Sequence, residues 1–164
     1  MIMSSSPAGR ESALSDRGHF SITLHIESRL DQIRLVRAAL SGMLSHLGVV
    51  ESDIDSLGLA VTEIINNSLE HGYKGAQDKS IEARVQVSGT DVQIDLIDYA
   101  PPFPEEHRYR LTDELLPLED PSEEWPMRGH GLQIVRQIVD SVTLISESGQ
   151  NCITLKKHVG ILHD

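Results

Sequence analysis

The stretch Ala60 to Gly75, AVTEIINNSLEHGYKG, decides the fold of this chain of 164 residues. Its apolar residues recur at steps of three and four, which is the spacing of one buried helix face. Glu63 and Asn67 are one helical turn apart at the margin of that face, and His71 follows one turn later. The pattern predicts a core helix that runs to about His71, ends at Gly72 and carries a polar edge.

Glu63 and Asn67 place a carboxylate and a carboxamide on that polar edge. Oxygen atoms at positions i and i+4 suit a hard cation such as Mg²⁺, which takes one or two protein oxygens and fills its other positions with water or phosphate. The same spacing also occurs on ordinary solvated helix margins, where successive turns contact each other. The pair alone leaves both interpretations open.

Strand and helix periodicities alternate on both sides of this helix. Residues 20–26 alternate between apolar and polar, as strands do, and a helical pattern then runs from about Arg29 to Gly48. Asp53 is expected to cap the next helix. The remaining patterns are strands at 81–87, 92–98, 142–144 and 152–155, and a helix that opens at 129–131. This order predicts an α+β fold, a two-layer sandwich in which a mixed, mainly antiparallel sheet is covered by helices on one face.

Composition suggests where the domain begins and ends. Residues 1–18 are rich in Ser, Gly and charge without periodicity, and we expect a disordered arm there. Residues 19–159 are expected to form a single domain, and residues 160–164 a short tail. Within the domain, residues 99–128 hold most of the prolines and many acidic side chains, which is typical of a functional lid or binding loop.

The charge of the chain excludes some classes of partner. Lys and Arg number 14 against 25 Asp and Glu, which gives a formal net charge of -11. Nucleic acids and anionic membranes need a basic surface, so neither is expected as a direct partner. A single cysteine, Cys152, excludes an internal disulfide. No apolar run approaches the ~18 residues of a membrane span, and the start lacks the apolar segment of a signal peptide, so we expect a cytoplasmic protein.

Asp98 closes a strand pattern and is followed by Tyr99 and Ala100. A carboxylate in this position can accept a hydrogen bond from an exocyclic amine, as acidic side chains do when they read bases. It can equally start a turn by bonding to its own backbone two residues on. The residue alone does not separate a ligand contact from a turn.

Glycines stand at the start of the helix that follows the proline-rich segment, in Arg128-Gly129-His130-Gly131-Leu132. Glycine lets backbone N–H groups approach a phosphate closely, and the start of a helix carries a partial positive charge. The motif is not the dinucleotide-binding fingerprint, because no strand precedes it and the third glycine is absent.

The order of these motifs resembles the Bergerat-fold (GHKL) ATP-binding family. Within that family, AVTEIINNSLEHGYKG, RGHGLQIVRQIVDSV from residue 128 and NCITLKKHV from residue 151 are similar to the small anti-sigma factor serine/threonine kinases of bacterial partner-switching systems. The resemblance covers about residues 20 to 159, nearly all of the part expected to fold.

This resemblance implies ATP and Mg²⁺ as cofactors and gives each motif a role. Glu63 would be the general base, Asn67 the Mg²⁺ ligand and Asp98 the acceptor of the adenine amine. Gly129 and Gly131 would belong to the phosphate loop. The other nucleotide-binding positions that the resemblance implies are His71, Ala100, Arg128, His130 and Leu132.

Two positions depart from the pattern of the family. Its adenine-side motif is typically Asp-x-Gly, and Ala100 stands where the glycine is expected. If that position needs a positive φ, alanine costs on the order of 1 kcal/mol, a several-fold loss of affinity. The family often places an arginine near the γ-phosphate just before the glycines, and Arg128 is the candidate for that position.

The resemblance implies a serine/threonine protein kinase that is also an anti-sigma factor. Such a kinase would phosphorylate an antagonist protein and bind a sigma factor or a similar regulator. The alternative is a nucleotide-binding module that sequesters a regulator without significant kinase activity. Glu63 favours the kinase, whereas Ala100 and the proline-rich loop keep the module open. The sequence identifies neither the partners nor the phosphorylated residue, and it leaves homodimerisation open.

Overall fold

A computed structural model of the chain describes residues 18–103, 105 and 131–162. The predicted order of strands and helices is confirmed within these ranges. The elements are β1 (His19–Glu27), α1 (Leu30–His46), α2 (Glu51–Asn67), a π-helical turn (Ser68–Gly72), β2 (Ser80–Ser88), β3 (Asp91–Asp98), α3 (Gly131–Ile138), β4 (Ser141–Glu147) and β5 (Gln150–His158).

The five strands form one sheet in the order β1-β2-β3-β5-β4. All pairings between these strands are antiparallel, so the mixed sheet allowed by the sequence narrows to an antiparallel one in the described residues. A two-residue turn, Ser148-Gly149, joins β4 to β5, and both of its residues have a positive φ, 53° and 75°. Such turns match the twist of antiparallel strands and fix their register. In that register Asn151 of β5 lies opposite Asp98 of β3.

The core lies between the helices and one face of the sheet. Alternate residues of the central strands point into it, because successive side chains of a strand point to opposite faces. Fully buried examples are Ile81, Ile94, Ile153 and Leu155. The helices contribute the apolar residues that recur at three- and four-residue steps, namely Val36, Leu40, Leu44, Leu57, Val61, Ile64 and Ile65. This arrangement confirms the predicted α+β sandwich with helices on one face.

Of the two glycines predicted to end helices, Gly48 does so and Gly72 does not. Gly48 has a φ of 78° just after α1, as expected of a glycine that ends a helix. Gly72 does not have a positive φ. Instead, the α-helical hydrogen-bond pattern of α2 stops at Asn67 and the chain continues as a wider π-helical turn, in which the Tyr73 amide donates to the Ser68 carbonyl at 2.8 Å. Such turns frequently occur at functional sites.

Asp53 does not cap α2, contrary to the expectation from the sequence. The helix begins two residues earlier, at Glu51, and Val50 is its cap. Asp53 accepts a hydrogen bond from the Gly160 amide at 2.7 Å and lies 3.5 Å from the Lys157 ammonium. The carboxylate therefore joins the start of α2 to the end of the chain instead of satisfying its own helix.

The packed domain extends beyond the boundary expected at residue 159. Ile161 is buried and pairs with Val49 in an isolated antiparallel bridge, and the Leu162 amide donates to the Gly48 carbonyl at 2.7 Å. The expected tail at 160–164 thus begins as part of the fold, because its apolar residues cover the junction between α1 and α2. The expected arm at 1–18 lies outside the described residues except for Gly18. Among the described helices, none combines the length and apolar character needed to cross a membrane.

We expect Asp53→Ala to lower the free energy of unfolding by about 1.5 kcal/mol, the lower end for a hydrogen bond to a charged group, since the side chain is partly exposed. Urea unfolding followed by circular dichroism measures this change. Asp55→Ala is the matched control, because it removes the same charge from an exposed position of the same helix. Equal losses in the two variants would show that the contact with Gly160 does not stabilise the fold.

Candidate active site

The most constrained polar group of the described structure is Asp98, at the end of β3. Its side chain is almost completely buried, with 4% of the residue exposed. Oδ2 accepts from the Ser68 hydroxyl at 2.6 Å, and Oδ1 accepts from Asn151 Nδ2 at 2.8 Å and from the Ala100 amide at 3.1 Å. A buried carboxylate is costly unless donors satisfy it. Asp98 is thus held by three elements, which are the π-helical turn, β5 and the chain after β3.

The bond from the Ala100 amide is the turn interaction that the sequence offered as the alternative to a ligand contact. It uses only part of the carboxylate, which has about four acceptor positions. Counting the donors in the described part of the chain, one acceptor position remains on Oδ2. Asp98 can therefore form the turn and still accept one hydrogen bond from a ligand.

A cavity of about 210 Å³ opens beside Asp98. Its described lining combines the end of α2, the π-helical turn and the chain after β3. The lining residues are Asn67, Ser68, His71, Gly72, Lys74, Asp98, Ala100, Pro101, Pro102, Phe103 and Asn151. Apolar walls with a few convergent polar groups are typical of sites for small ligands. Of the sequence-predicted residues, the fold brings Asn67, His71, Asp98 and Ala100 together around this one cavity.

Tyr73 lies next to the cavity lining and supports it through hydrogen bonds of its hydroxyl. Its hydroxyl donates to the Ser80 carbonyl at 2.6 Å and accepts from the Tyr99 amide at 2.7 Å. Burial raises the pKa of the Tyr73 phenol; the bond from Tyr99 opposes this shift, and the charge of Asp98 adds to it. The hydroxyl therefore stays protonated at neutral pH and can donate. It fixes the backbone next to Asp98 to the start of β2.

Ala100 fits its position without backbone strain. It is buried and is not among the residues with a positive φ, so the penalty considered from the sequence does not arise. A glycine is required instead at Gly72, across the cavity from Ala100. A Cβ added to Gly72 would lie 2.7 Å from the Ala100 Cβ, closer than real Cβ contacts. Gly72 is therefore needed because of the methyl group of Ala100.

Gly131, the first residue of α3, lies directly against the side chain of Glu63. A Cβ added to Gly131 would be 2.0 Å from Glu63 Oε2 and 3.0 Å from its Cδ. The carboxylate of α2 thus occupies the space beside the start of α3, where the sequence predicted a phosphate loop. This contact brings the proposed base and the second motif glycine together, although they are far apart in the sequence.

Four other predicted site residues are not found in the cavity lining, either because the side chain is buried or because the residue lies outside the described ranges. Leu132 is buried in the core, so its backbone alone is available to a ligand. Arg128, Gly129 and His130 lie outside the described residues, as does most of the expected lid at 99–128. Among the residues that the structure describes, no group of three or more His, Cys, Asp or Glu side chains is arranged to hold a metal ion.

Sequence reasoning missed four residues of the site. Ser68 and Asn151 hold Asp98, Tyr73 supports the wall, and Lys74 lines the cavity with a φ of 51°. Ser68 follows Asn67 directly on the predicted helix, but nothing in the sequence marks it as a partner of Asp98. Asn151 could have been found from its position, because a buried polar residue in a core strand needs a partner.

We expect Gly131→Ala to move the Glu63 carboxylate without unfolding the protein. The clashing atom is the end of a flexible side chain, so the side chain can turn away at little cost. A crystal structure should show Glu63 in another rotamer, and the melting temperature should not fall.

Gly42→Ala is the control for the helix propensity of alanine, because nothing lies within 4 Å of a Cβ at that position of α1. It should gain up to about 1 kcal/mol of stability. A Gly131→Ala structure with Glu63 unmoved and α3 shifted would contradict the interpretation that Gly131 makes room for Glu63.

The residues present fit a purine nucleotide. The remaining acceptor position on Asp98 suits one N–H donor, the apolar walls suit a flat base, and Asn67 supplies an oxygen at the cavity edge. Lys74 is the one permanently positive side chain among the described lining residues. Its side chain can reach an anionic group at the mouth of the cavity because it is exposed.

Comparisons with known proteins agree with this architecture. The family model described as histidine kinase-like ATPase domain matches residues 26–157. A serine-protein kinase RsbW from Listeria innocua is 29% identical over 140 residues, which cover 84% of this chain and 87% of the relative. A serine-protein kinase RsbW from Staphylococcus aureus is 25% identical over 142 residues, covering 84% and 86%.

A solved structure supports the fold as well. The crystal structure of the RsbU and RsbW domains of Rv1364c from Mycobacterium tuberculosis superposes with a TM-score of 0.60 at 20% identity. The match covers 85% of this chain and 32% of that longer chain, so it bears on the fold alone. Because the family model spans most of the chain, this protein belongs to the histidine kinase-like ATPase family, the Bergerat-fold family that its motifs resemble.

Proposed function

We propose that this protein is an ATP-dependent serine/threonine protein kinase that acts as an anti-sigma factor. It phosphorylates an antagonist protein in a bacterial partner-switching system and sequesters a sigma factor or a similar regulator in the cytoplasm. The relatives named serine-protein kinase RsbW support the kinase activity. Sigma-factor binding and the antagonist are parts of the proposal that the resemblance of the motifs to anti-sigma factor kinases supports, and homodimerisation stays open.

One observation carries the proposal, which is that α2 connects two places a kinase needs. At one end of its polar edge, Glu63 lies against the first residue of α3. One turn further, Asn67 borders the cavity that contains Asp98. A nucleotide whose base bonds to Asp98 would extend along Asn67 toward Glu63. The reacting phosphate would then approach a carboxylate, which is the arrangement that proton abstraction requires.

Three residues have separate roles in this mechanism, namely Asp98, Asn67 and Glu63. Asp98 accepts the amino group of adenine and so fixes the base. Asn67 would hold Mg²⁺ through its side-chain oxygen, and the ion would supply positive charge to the phosphate oxygens. Glu63 accepts the proton of the attacking serine or threonine hydroxyl while the hydroxyl oxygen bonds to the γ-phosphorus and the bond from this phosphorus to the bridging oxygen of ADP breaks, so that ADP leaves. Catalysis would come mostly from positioning, because phosphoryl transfer leaves little covalent chemistry to the protein.

Asp98→Asn should weaken ADP binding about 10- to 150-fold, the equivalent of about 1.5–3 kcal/mol for a hydrogen bond to a charged group. The oxygen of the new amide must face the donors Asn151 Nδ2 and the Ala100 amide, so its NH2 group takes the place of Oδ2 and the site loses its acceptor. Isothermal titration calorimetry in the presence of magnesium measures the change.

Asp95→Asn is the control for Asp98→Asn. It removes the same charge from the same strand, but Asp95 points to the other face and accepts from Gln93 and Thr154. ADP affinity should be unchanged in this variant. Wild-type protein that shows no heat with millimolar ADP and magnesium would exclude nucleotide binding.

Glu63→Gln should lower phosphorylation of the antagonist about 10²- to 10⁴-fold, the usual effect of removing a general base. The assay follows transfer of labelled γ-phosphate to a candidate antagonist protein. Glu70→Gln is the matched control, because Glu70 is exposed on the π-helical turn that follows α2 and does not line the cavity. With magnesium present, whose charge offsets the repulsion between Glu63 and the phosphates, the nucleotide affinity of both variants should stay close to wild type, since the shape of the side chain is kept.

The same assay separates the kinase from the module that only sequesters a regulator. A module would bind nucleotide and leave every candidate antagonist unphosphorylated, in wild type and variant alike. Transfer by Glu63→Gln at the wild-type rate would show that another group accepts the proton.

A further inference from the structure

We propose that Asn151 is a positioning residue of the nucleotide site. It holds Asp98 in the orientation that distinguishes a 6-amino from a 6-oxo purine, and it ties this carboxylate to the chain that leaves β3. The inference rests on the proposed nucleotide binding, and it gives a role to a residue to which the sequence analysis assigned none.

The orientation of the Asn151 side chain is determined by its neighbours. Nδ2 lies within hydrogen-bond distance of three acceptors, which are Asp98 Oδ1 at 2.8 Å, the Ala100 carbonyl at 3.2 Å and the Pro101 carbonyl at 3.1 Å. On the other side, Oδ1 accepts from the Ser146 hydroxyl at 2.7 Å. A flipped amide would place its oxygen against three acceptors, so only one orientation satisfies the group. Asn151 is also 2% exposed, which leaves water little access.

This fixed amide decides which oxygen of Asp98 faces a ligand. Oδ1 already accepts from Asn151 and from the Ala100 amide, and these two bonds use both of its acceptor positions. Oδ2 accepts from Ser68 alone among the described donors. The site therefore presents one acceptor and no donor from Asp98, which favours an amino group and repels a carbonyl oxygen. Without Asn151 the carboxylate can rotate or admit water, and this discrimination is lost.

The same amide also holds the chain after β3 in place. The carbonyls of Ala100 and Pro101 both lie at Nδ2, which has only two hydrogens for its three acceptors. Pro101 and Pro102 have no N–H groups, so this part of the backbone cannot donate hydrogen bonds to the sheet. Asn151 thus holds the backbone at Ala100 and Pro101 against the carboxylate of Asp98.

The test compares adenosine diphosphate with inosine diphosphate, which differ at position 6 of the purine in carrying an amino or an oxo group. Calorimetry with magnesium gives the two dissociation constants for wild type, Asn151→Ala and Ser146→Ala. Ser146→Ala is the matched control, because it removes the bond on the Oδ1 side of the amide and keeps the three contacts of Nδ2.

We expect wild type and Ser146→Ala to prefer adenosine diphosphate by about ten-fold or more, the effect of one hydrogen bond to a charged group. Asn151→Ala should weaken adenosine diphosphate by about ten-fold and leave inosine diphosphate almost unchanged, so that the ratio approaches one. In an Asp98→Asn background the substitution at 151 should have no further effect on the ratio, since it acts through Asp98.

A merely structural role would give a different result. Asn151→Ala would then lower the melting temperature and weaken both nucleotides equally, and an unchanged ratio would overturn the proposal. Asn151→Ser, which leaves a hydroxyl and room for water, provides the same readout if the alanine variant does not fold. Wild type that binds neither nucleotide would refute the proposed function itself, whereas wild type that binds both equally would refute only the reading of the base by Asp98.

Discussion

A buried carboxylate with uncharged donors is the constraint on which the rest of this structure depends. Asp98 is 4% exposed and is satisfied by a hydroxyl, a carboxamide and a backbone amide. Leaving a buried acceptor without its donor costs about 1–3 kcal/mol, and more when the acceptor is charged. The turn that carries Ser68, the register that carries Asn151 and the chain after β3 must therefore all be formed together.

The π-helical turn begins at the residue that holds Asp98. Ser68 has helical backbone angles, φ -61° and ψ -40°, so α2 sets its direction, and its hydroxyl donates to Asp98 Oδ2 at 2.6 Å. At the end of the turn, Gly72 lies against the methyl group of Ala100. The turn therefore forms part of the cavity wall, as π-helical turns frequently do at functional sites.

The sequence predicts the fold of the described residues well, because the fold depends on periodicity. Strand and helix patterns set the element order, and Gly48 marks a true helix end. The sequence predicts the site less well, because the site depends on contacts between distant residues. Asp53 was expected to cap its own helix but bonds to Gly160, and the cost that a positive φ would have given Ala100 does not arise. In both cases tertiary contact, which no local pattern encodes, decides the role of the residue.

Gly131 shows most clearly how a tertiary contact changes the role that the local sequence suggests. From the sequence, Gly131 was a residue that lets phosphate approach the backbone, and in the structure its missing side chain leaves room for the Glu63 carboxylate. The two roles are compatible, because a base must lie beside the phosphate that reacts. The predictions for Gly131→Ala and Glu63→Gln therefore examine one contact from its two sides.

The position of Glu63 has a consequence for charge in the proposed kinase. Its carboxylate lies at the start of α3, where the partial positive charge of a helix would otherwise favour an anion. Two unit negative charges about 4 Å apart repel by about 4 kcal/mol at the effective dielectric of a protein surface. In a chain with a formal net charge of -11, and with Lys74 as the one permanent cation in the described cavity lining, that repulsion must be offset by a further positive charge. A divalent cation held near Asn67 would supply it, so the arrangement of these few charges predicts, independently of the resemblance to the family, that nucleotide binding depends on magnesium.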